Sequence, residues 1–247
     1  MKLDDTSPGD IEWRIEVTQR TCVAGNYTYK NAPKCACSTI KRALWFTEME
    51  LGRFTRARED AYDGEFLHLV NDGTPFSNVA AHANETFIFT FTRNPYERIY
   101  SAYLDKCVRA AITGSILPML RTRLGVGERP VSFNEFLTFI ASQRDRNRDS
   151  HWATMYRTTA EDVLPSHFIG AVETLSDDLN KVYARIYPGL TPQIENTNQT
   201  RGIVVAPPPT EAELRLLFEI YRSDFEFYGY SDKPELSRAP PLHRPKY

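Results

Sequence analysis

The chain offers no surplus charge to a partner: 30 Lys and Arg stand against 32 Asp and Glu, for a formal net charge of −2. That balance excludes whole-protein attraction to nucleic acid or to an anionic membrane, so any anion site must be local. No apolar run is long enough to cross a bilayer, and Met1-Lys-Leu-Asp-Asp-Thr6 lacks the apolar stretch of a signal peptide. There are only four cysteines, Cys22, Cys35, Cys37 and Cys107, with no C-x-x-C pair and no zinc spacing. Cys35 and Cys37 stand too close together for an ordinary disulfide. These absences lead to the expectation of a soluble, reduced, cytoplasmic protein with no integral membrane segment, no nucleic-acid partner and no metal site. Apolar residues are not scarce: 41% of the 247 residues are hydrophobic and 12% aromatic, enough for a substantial core in one domain. The expected layout is a single domain over 1–247, with a polar arm at 1–20 and a proline-rich tail at 231–247.

Glycine is missing where a nucleotide loop needs it. The segment 26–30, Asn-Tyr-Thr-Tyr-Lys, alternates as a strand, and Ile40, Ala43, Leu44, Thr47 and Leu51 recur at helical spacing. Between them lies a strand-loop-helix junction, Asn31-Ala-Pro-Lys-Cys-Ala-Cys-Ser-Thr39, whose helix start favours an anion. Lys34, Ser38, Thr39, Lys41 and Arg42 add donors. A Walker loop requires G-x-x-x-x-G-K-[ST], yet no glycine occurs between Asn31 and Gly52 and the lysine precedes the Ser-Thr pair. An ATP or GTP reading is therefore weakened.

A second junction follows. Phe87-Ile-Phe-Thr-Phe-Thr92 reads as a central strand, ending in Arg93 and then Asn94-Pro95, an N-cap followed by a first-turn proline. Ser101 lies about two helical turns beyond Asn94, on the same face, so a guanidinium and a hydroxyl can grip one phosphate from two directions. Further on, Phe168–Val172 reads as a strand and 175–186 as a helix. Capping boxes at Ser132/Glu135 and Thr210/Glu213 open two more helices, while 114–130 reads as a basic insertion. Alternating strands and helices give an α/β class, a mostly parallel central sheet flanked by helices, with ligands at the carboxyl ends of the strands.

The Pro33-Lys34-x-x-Cys37-Ser38 string and the core Pro95-x-Glu97-Arg98-x-x-Ser101-Ala102-Tyr103 resemble the two cofactor motifs of sulfotransferases that use 3′-phosphoadenosine 5′-phosphosulfate (PAPS), in particular carbohydrate sulfotransferases of the chondroitin 4-O and HNK-1 type. His151-Trp152, Phe168-Ile-Gly-x-x-Glu-Thr-Leu175 and Tyr221-Arg-x-Asp-Phe-x-x-x-Gly-Tyr230 extend the resemblance over about residues 26–230. It implies a P-loop-like sulfotransferase fold, with Pro33, Lys34, Cys35, Ala36, Cys37, Ser38 and Thr39 around the 5′-phosphosulfate, Arg93 and Ser101 on the 3′-phosphate, and Arg201 closing over the nucleotide. The expected reaction moves a sulfuryl group from PAPS, leaving 3′-phosphoadenosine 5′-phosphate (PAP), to a hydroxyl of a carbohydrate acceptor. Lys34 is expected to stabilise the leaving phosphate. His68 is the first candidate base and His151 the second, with a carboxylate such as Glu65 left open. The stretch after Trp152 lacks the cysteine pair of luminal members, which fits a relative from a reducing compartment, as in bacteria. A small non-carbohydrate acceptor, a P-loop kinase and a non-catalytic nucleotide-binding protein are the alternatives. The acceptor's identity and the oligomeric state are not legible.

Overall fold

The computed structural model describes residues 22–23, 27–52, 86–109, 117–194 and 207–233. Four strands form one sheet in the order β1 (Cys22–Val23), β2 (Tyr27–Lys30), β3 (Phe87–Thr92), β4 (Phe168–Ala171). The two-residue β1 runs antiparallel to β2, while β2, β3 and β4 are parallel, with Tyr29 opposite Phe89 and Phe91 opposite Gly170. The carboxyl ends of the three parallel strands therefore share one edge. Seven α-helices are described: α1 (Cys37–Glu50), α2 (Pro95–Tyr103), α3 (Leu117–Leu124), α4 (Phe133–Ala141), α5 (Met155–Thr158), α6 (Leu175–Ile186) and α7 (Glu211–Tyr228). None is long and apolar enough to cross a membrane.

The period of two along the strands sorts the side chains. Tyr27, Tyr29, Phe89 and Phe91 point to one face and close a core with Ile40, Ala43 and Leu44 of α1 and Leu179, Val182 and Tyr183 of α6. Tyr29 and Phe89 stack at 5.2 Å. Thr28, Lys30, Thr90 and Thr92 are also buried, but on the polar alternation, and the side chains of the last three find partners. Thr90 Oγ1 donates to the Lys30 carbonyl at 2.7 Å, and Thr92 Oγ1 meets the Tyr230 hydroxyl at 3.1 Å. Lys30 Nζ, 1% exposed, donates to Glu161 Oε1 at 2.6 Å and to the Leu164 carbonyl, which fastens the end of β2. A second core joins α2, α4 and α7 through Tyr96, Phe136, Trp152 and Phe225.

The strands expected at 26–30 and 87–92 are present, and the third ends at Ala171 because Val172–Thr174 turns into a 3₁₀ helix. Both expected capping boxes form, at Ser132/Glu135 and at Thr210/Glu213. Within the stretch read as a basic insertion, residues 117–124 form a helix that the reading did not include. Leu117 and Leu120, at helical spacing, are buried under α3, which gives way to Gly125 in the left-handed conformation at φ 63°. Arginines crowding this short period hid it. The 1–20 arm, His68 with its segment, Arg201 and its loop, and the tail beyond 233 lie outside the described residues.

Gly170 has a packing reason to be glycine. A Cβ there would lie 2.5 Å from the ring of Phe91, and that ring is fully buried with nowhere to move. Gly170→Ala should lower stability by about 1–3 kcal/mol, read as a lower denaturant midpoint with unchanged slope.

Candidate active site

The first anchor is the loop leaving β2. Lys34 (φ 68°) and Ala36 (φ 55°) both adopt the left-handed conformation, which costs a residue with a Cβ roughly 1–2 kcal/mol. The loop thus makes without glycine the turn that a Walker loop makes with it. Cys35 goes inward: it is 0% exposed, its Sγ lies 3.5 Å from Met155 Sδ, and burial pushes its thiol up to about 12. Cys35 can therefore offer a ligand only its backbone. Pro33 and Thr39 are buried, whereas Lys34, Ala36, Cys37 and Ser38 are partly exposed. Ala36 stands at the N-cap of α1 with no side-chain cap and no acid in the first turn. The positive end of α1 is left for an anion from outside.

The second anchor is the mouth of β3. Arg93 Nη1 donates to the Lys34 carbonyl at 3.4 Å, and Nη2 pairs with Glu97 at 3.3 Å. The two junctions are thus in direct contact. Asn94 caps α2 by accepting from the Tyr96 N–H at 2.8 Å, while its own N–H donates to Glu173 Oε1 at 2.7 Å. Glu173 also accepts from the Tyr230 hydroxyl at 3.2 Å, and burial raises its carboxyl above the usual range. Ser101 is partly exposed on α2, two turns from Arg93.

Arg98 ties these parts to a third. It is 0% exposed, and its Nε donates to the Pro33 carbonyl at 3.0 Å, Nη1 to Ala153 at 2.8 Å and Nη2 to Ser150 at 3.2 Å. One guanidinium therefore joins the Lys34 loop to the segment carrying His151. Within that segment His151 Nδ1 lies 2.6 Å from Asp149 Oδ1. The ionised carboxylate can only accept, so Nδ1–H donates to it, which leaves Nε2 as the nitrogen able to accept a proton. Burial pushes the Asp149 carboxyl up, but the hydrogen bonds from His151, with the charges of His151 and Lys106, outweigh it and hold the acid below its ordinary value. Trp152 anchors the pair: it is 1% exposed, its Nε1 donates to Gln143 Oε1 at 3.2 Å, and its carbonyl accepts from Tyr221.

Lys34 Nζ pairs with Asp105 Oδ2 at 2.5 Å, and Lys106 reaches the same oxygen at 3.2 Å. Lys106 acts on Asp149 as well, so Lys34 and His151 share one electrostatic neighbourhood. The family model for the sulfotransferase family matches residues 25–231, the span that holds every described part of this site. The chain belongs to the sulfotransferase family.

Among its relatives, carbohydrate sulfotransferase 14 of Mus musculus is 28% identical over 185 residues, covering 69% of this chain and 49% of the relative. Carbohydrate sulfotransferase 10 of Gallus gallus is 26% identical over 177 residues, 62% and 49%. Carbohydrate sulfotransferase 9 of Homo sapiens is 23% identical over 225 residues, 82% and 51%. The chain thus spans about half the length of these relatives. No solved structure matches it.

In this family member the structure brings Arg93 against the 33–39 loop and ties that loop through Arg98 to the segment carrying His151, while Ser101 lies on α2 two turns beyond Arg93. His68 and Arg201 lie outside the described residues. In the basic stretch, Arg121 pairs with Glu128 and Arg129 with Glu135, while Arg123 lines a groove with Gln143, Arg144 and Asn147. Arg98, Asp105, Asp149 and Glu173 received no role from the sequence. Arg98 had a signal: Pro95, Arg98, Ile99, Ala102 and Tyr103 recur at one helical stripe, and an arginine on a buried stripe must be fully paired. Arg98→Lys keeps the charge but loses the planar fork, and should cost about 2–4 kcal/mol by leaving buried carbonyls short of donors. Chemical denaturation measures the loss, and hydrogen exchange should quicken together in residues 32–36 and 150–156.

Proposed function

We propose that the chain is a PAPS-dependent O-sulfotransferase that sulfates a hydroxyl of a carbohydrate acceptor. The observation that carries this is the contact between Arg93 and the Lys34 carbonyl. It sets two anion anchors against one another at the carboxyl edge of the sheet, and a nucleotide with phosphates at both 3′ and 5′ positions needs both. The uncapped start of α1, the left-handed loop backbone and partly exposed Ser38 fit a phosphosulfate; Arg93 and Ser101 fit the 3′-phosphate.

Bound there, PAPS supplies the activated sulfuryl group. Sulfuryl transfer, like phosphoryl transfer, depends on positioning and on stabilising charge in a loose, in-line transition state. His151 Nε2 accepts the proton of the acceptor hydroxyl, with Asp149 holding the ring. The bond from acceptor oxygen to sulfur forms as the bond from sulfur to the 5′-phosphate oxygen breaks. Lys34 holds the negative charge that gathers on that oxygen.

For the acceptor, the carbohydrate sulfotransferase relatives favour a saccharide over a small metabolite. A cavity of about 390 Å³ is lined by Arg123, Gln143, Arg146, Asn147, Asp149 and Trp152. It shares Arg123, Gln143 and Asn147 with a groove of about 760 Å³, and its Asp149 end is where His151 is held. Because an indole N–H can only donate, the Trp152 bond fixes the Gln143 oxygen inward and leaves its NH₂ to donate elsewhere.

Calorimetry should show PAP binding about 10- to 100-fold more tightly than AMP, the scale of one charge-assisted phosphate site. Equal affinities would remove the two-anchor reading. Removing the base in His151→Ala should cut kcat by about 10²–10⁴-fold with PAP affinity preserved. Wild-type turnover in that variant would transfer the role to His68 or a carboxylate.

A further inference from the structure

The lysine assigned to the leaving group is not idle without its donor. Lys34 Nζ sits 2.5 Å from Asp105 Oδ2, and both side chains are largely withdrawn from solvent, at 18% and 24% exposure. Asp105 lies where α2 passes into the wider π turn Leu104–Arg109, a distortion common at functional sites. It follows Ser101 by four residues, one turn along the face that carries the 3′-phosphate anchor. A second ammonium, Lys106, reaches the same Asp105 oxygen at 3.2 Å.

We propose that Asp105 is a positioning residue for donor binding: it holds the Lys34 ammonium across the loop mouth, releases it to an arriving anionic donor, and keeps Lys106 as its partner. This rests on the PAPS reading above. Two features make the exchange feasible. A partly buried carboxylate stripped of its only cation would be costly to leave, but Lys106 remains with Asp105 after Lys34 departs. An anion held by Arg93 and Ser101 also brings negative charge toward Asp105, and like-charge repulsion weakens its hold on Lys34 as the site fills. Asp105 therefore opposes donor binding in proportion to how firmly it holds the lysine.

The groups facing Lys34 set the pH dependence: Asp105 and Cys37 favour its charged form, Lys106 opposes it, and burial is the largest influence, lowering its pKa. Asp105 is itself held below the ordinary carboxylate value, burial being outweighed by Lys34 and Lys106, and the Lys106 charge acts on Asp149 as well. Removing the Asp105 charge drops the Lys34 pKa further, so the ammonium is lost at lower pH.

The experiment measures PAP affinity calorimetrically for the full chain, Asp105→Asn and Asp105→Glu, from about pH 6 to about pH 10. Asp105→Asn should bind PAP about tenfold more tightly at neutral pH, the scale of one like-charge repulsion relieved near a protein surface. Its affinity should also begin to fall at lower pH than the wild type's, while Asp105→Glu restores the wild-type profile. A merely structural Asp105 would give weaker PAP binding with an unmoved pH profile, and that result overturns the proposal. Asp105→Ser carries the same test should the asparagine variant fail to fold. A wild type that binds PAP no better than AMP overturns the donor reading itself, and the role of Asp105 with it.

Discussion

A buried guanidinium governs how the site is assembled. Arg98 is fully enclosed and has no carboxylate within bonding distance among the described residues; its donors go to the Pro33, Ser150 and Ala153 carbonyls. An enclosed charge of this kind is tolerated only when its hydrogen bonds are made in full and opposite charge is near. Asp224 provides the latter. It is 0% exposed and accepts from the Met155 and Tyr156 N–H groups at 2.8 Å. Burial pushes its carboxyl up to about 6, while Arg98 and those hydrogen bonds pull against the rise. Arg98 thereby couples three stretches far apart in sequence: the Lys34 loop, the His151 segment and, through the field on Asp224, helix α7.

That coupling explains how a loop without glycine holds a left-handed path. Two residues with a Cβ in that conformation would be expected to relax on an unsupported turn. Here both ends are fixed. Lys30, held by Glu161, stops β2 from sliding, Cys35 is locked into the core against Met155, and Arg98 grips the carbonyl just before Lys34. The strain at Lys34 and Ala36 is offset by contacts that also hold the Lys34 carbonyl against Arg93 at the mouth of β3. Glycine would make the turn easier but would supply neither the ammonium at 34 nor the same restriction of the backbone.

How far the sequence could be read follows from how local each determinant is. Strands β2 and β3, the Asn94-Pro95 start of α2 and both capping boxes are set by neighbours within a few residues, and all appear at or within a residue of where the pattern places them. The pairing of anchors at Lys34 and Arg93 was also legible, because parallel strands put their following loops on one edge. What could not be read depends on long-range contact. The partner that buries Cys35 could not be read, because Met155 lies 120 positions away. Asp149 gains its meaning only from the ring of His151 folded back on it, and the three carbonyls around Arg98 leave no trace in composition. Helix α3 was missed for a different reason: two buried leucines are too short a period to stand out among arginines and prolines.

Helix α2 concentrates these constraints because its periodicity serves two masters at once. One stripe, Pro95, Arg98, Ile99, Ala102 and Tyr103, is buried, and it carries the brace. The adjacent face carries Ser101 and, one turn on, Asp105, both partly exposed. Arg93 enters from the strand just ahead of the cap. A rotation of the helix by one residue would pull the guanidinium of Arg98 from its carbonyls and swing Ser101 round in the same motion. The buried stripe therefore fixes the helix phase by burial and hydrogen bonding, and the face carrying Ser101 and Asp105 inherits its aim from that phase. The widening at Leu104–Arg109 comes only after Ser101 is set, so the π turn can re-aim Asp105 and Lys106 toward Lys34 without disturbing the residues that would hold the 3′-phosphate.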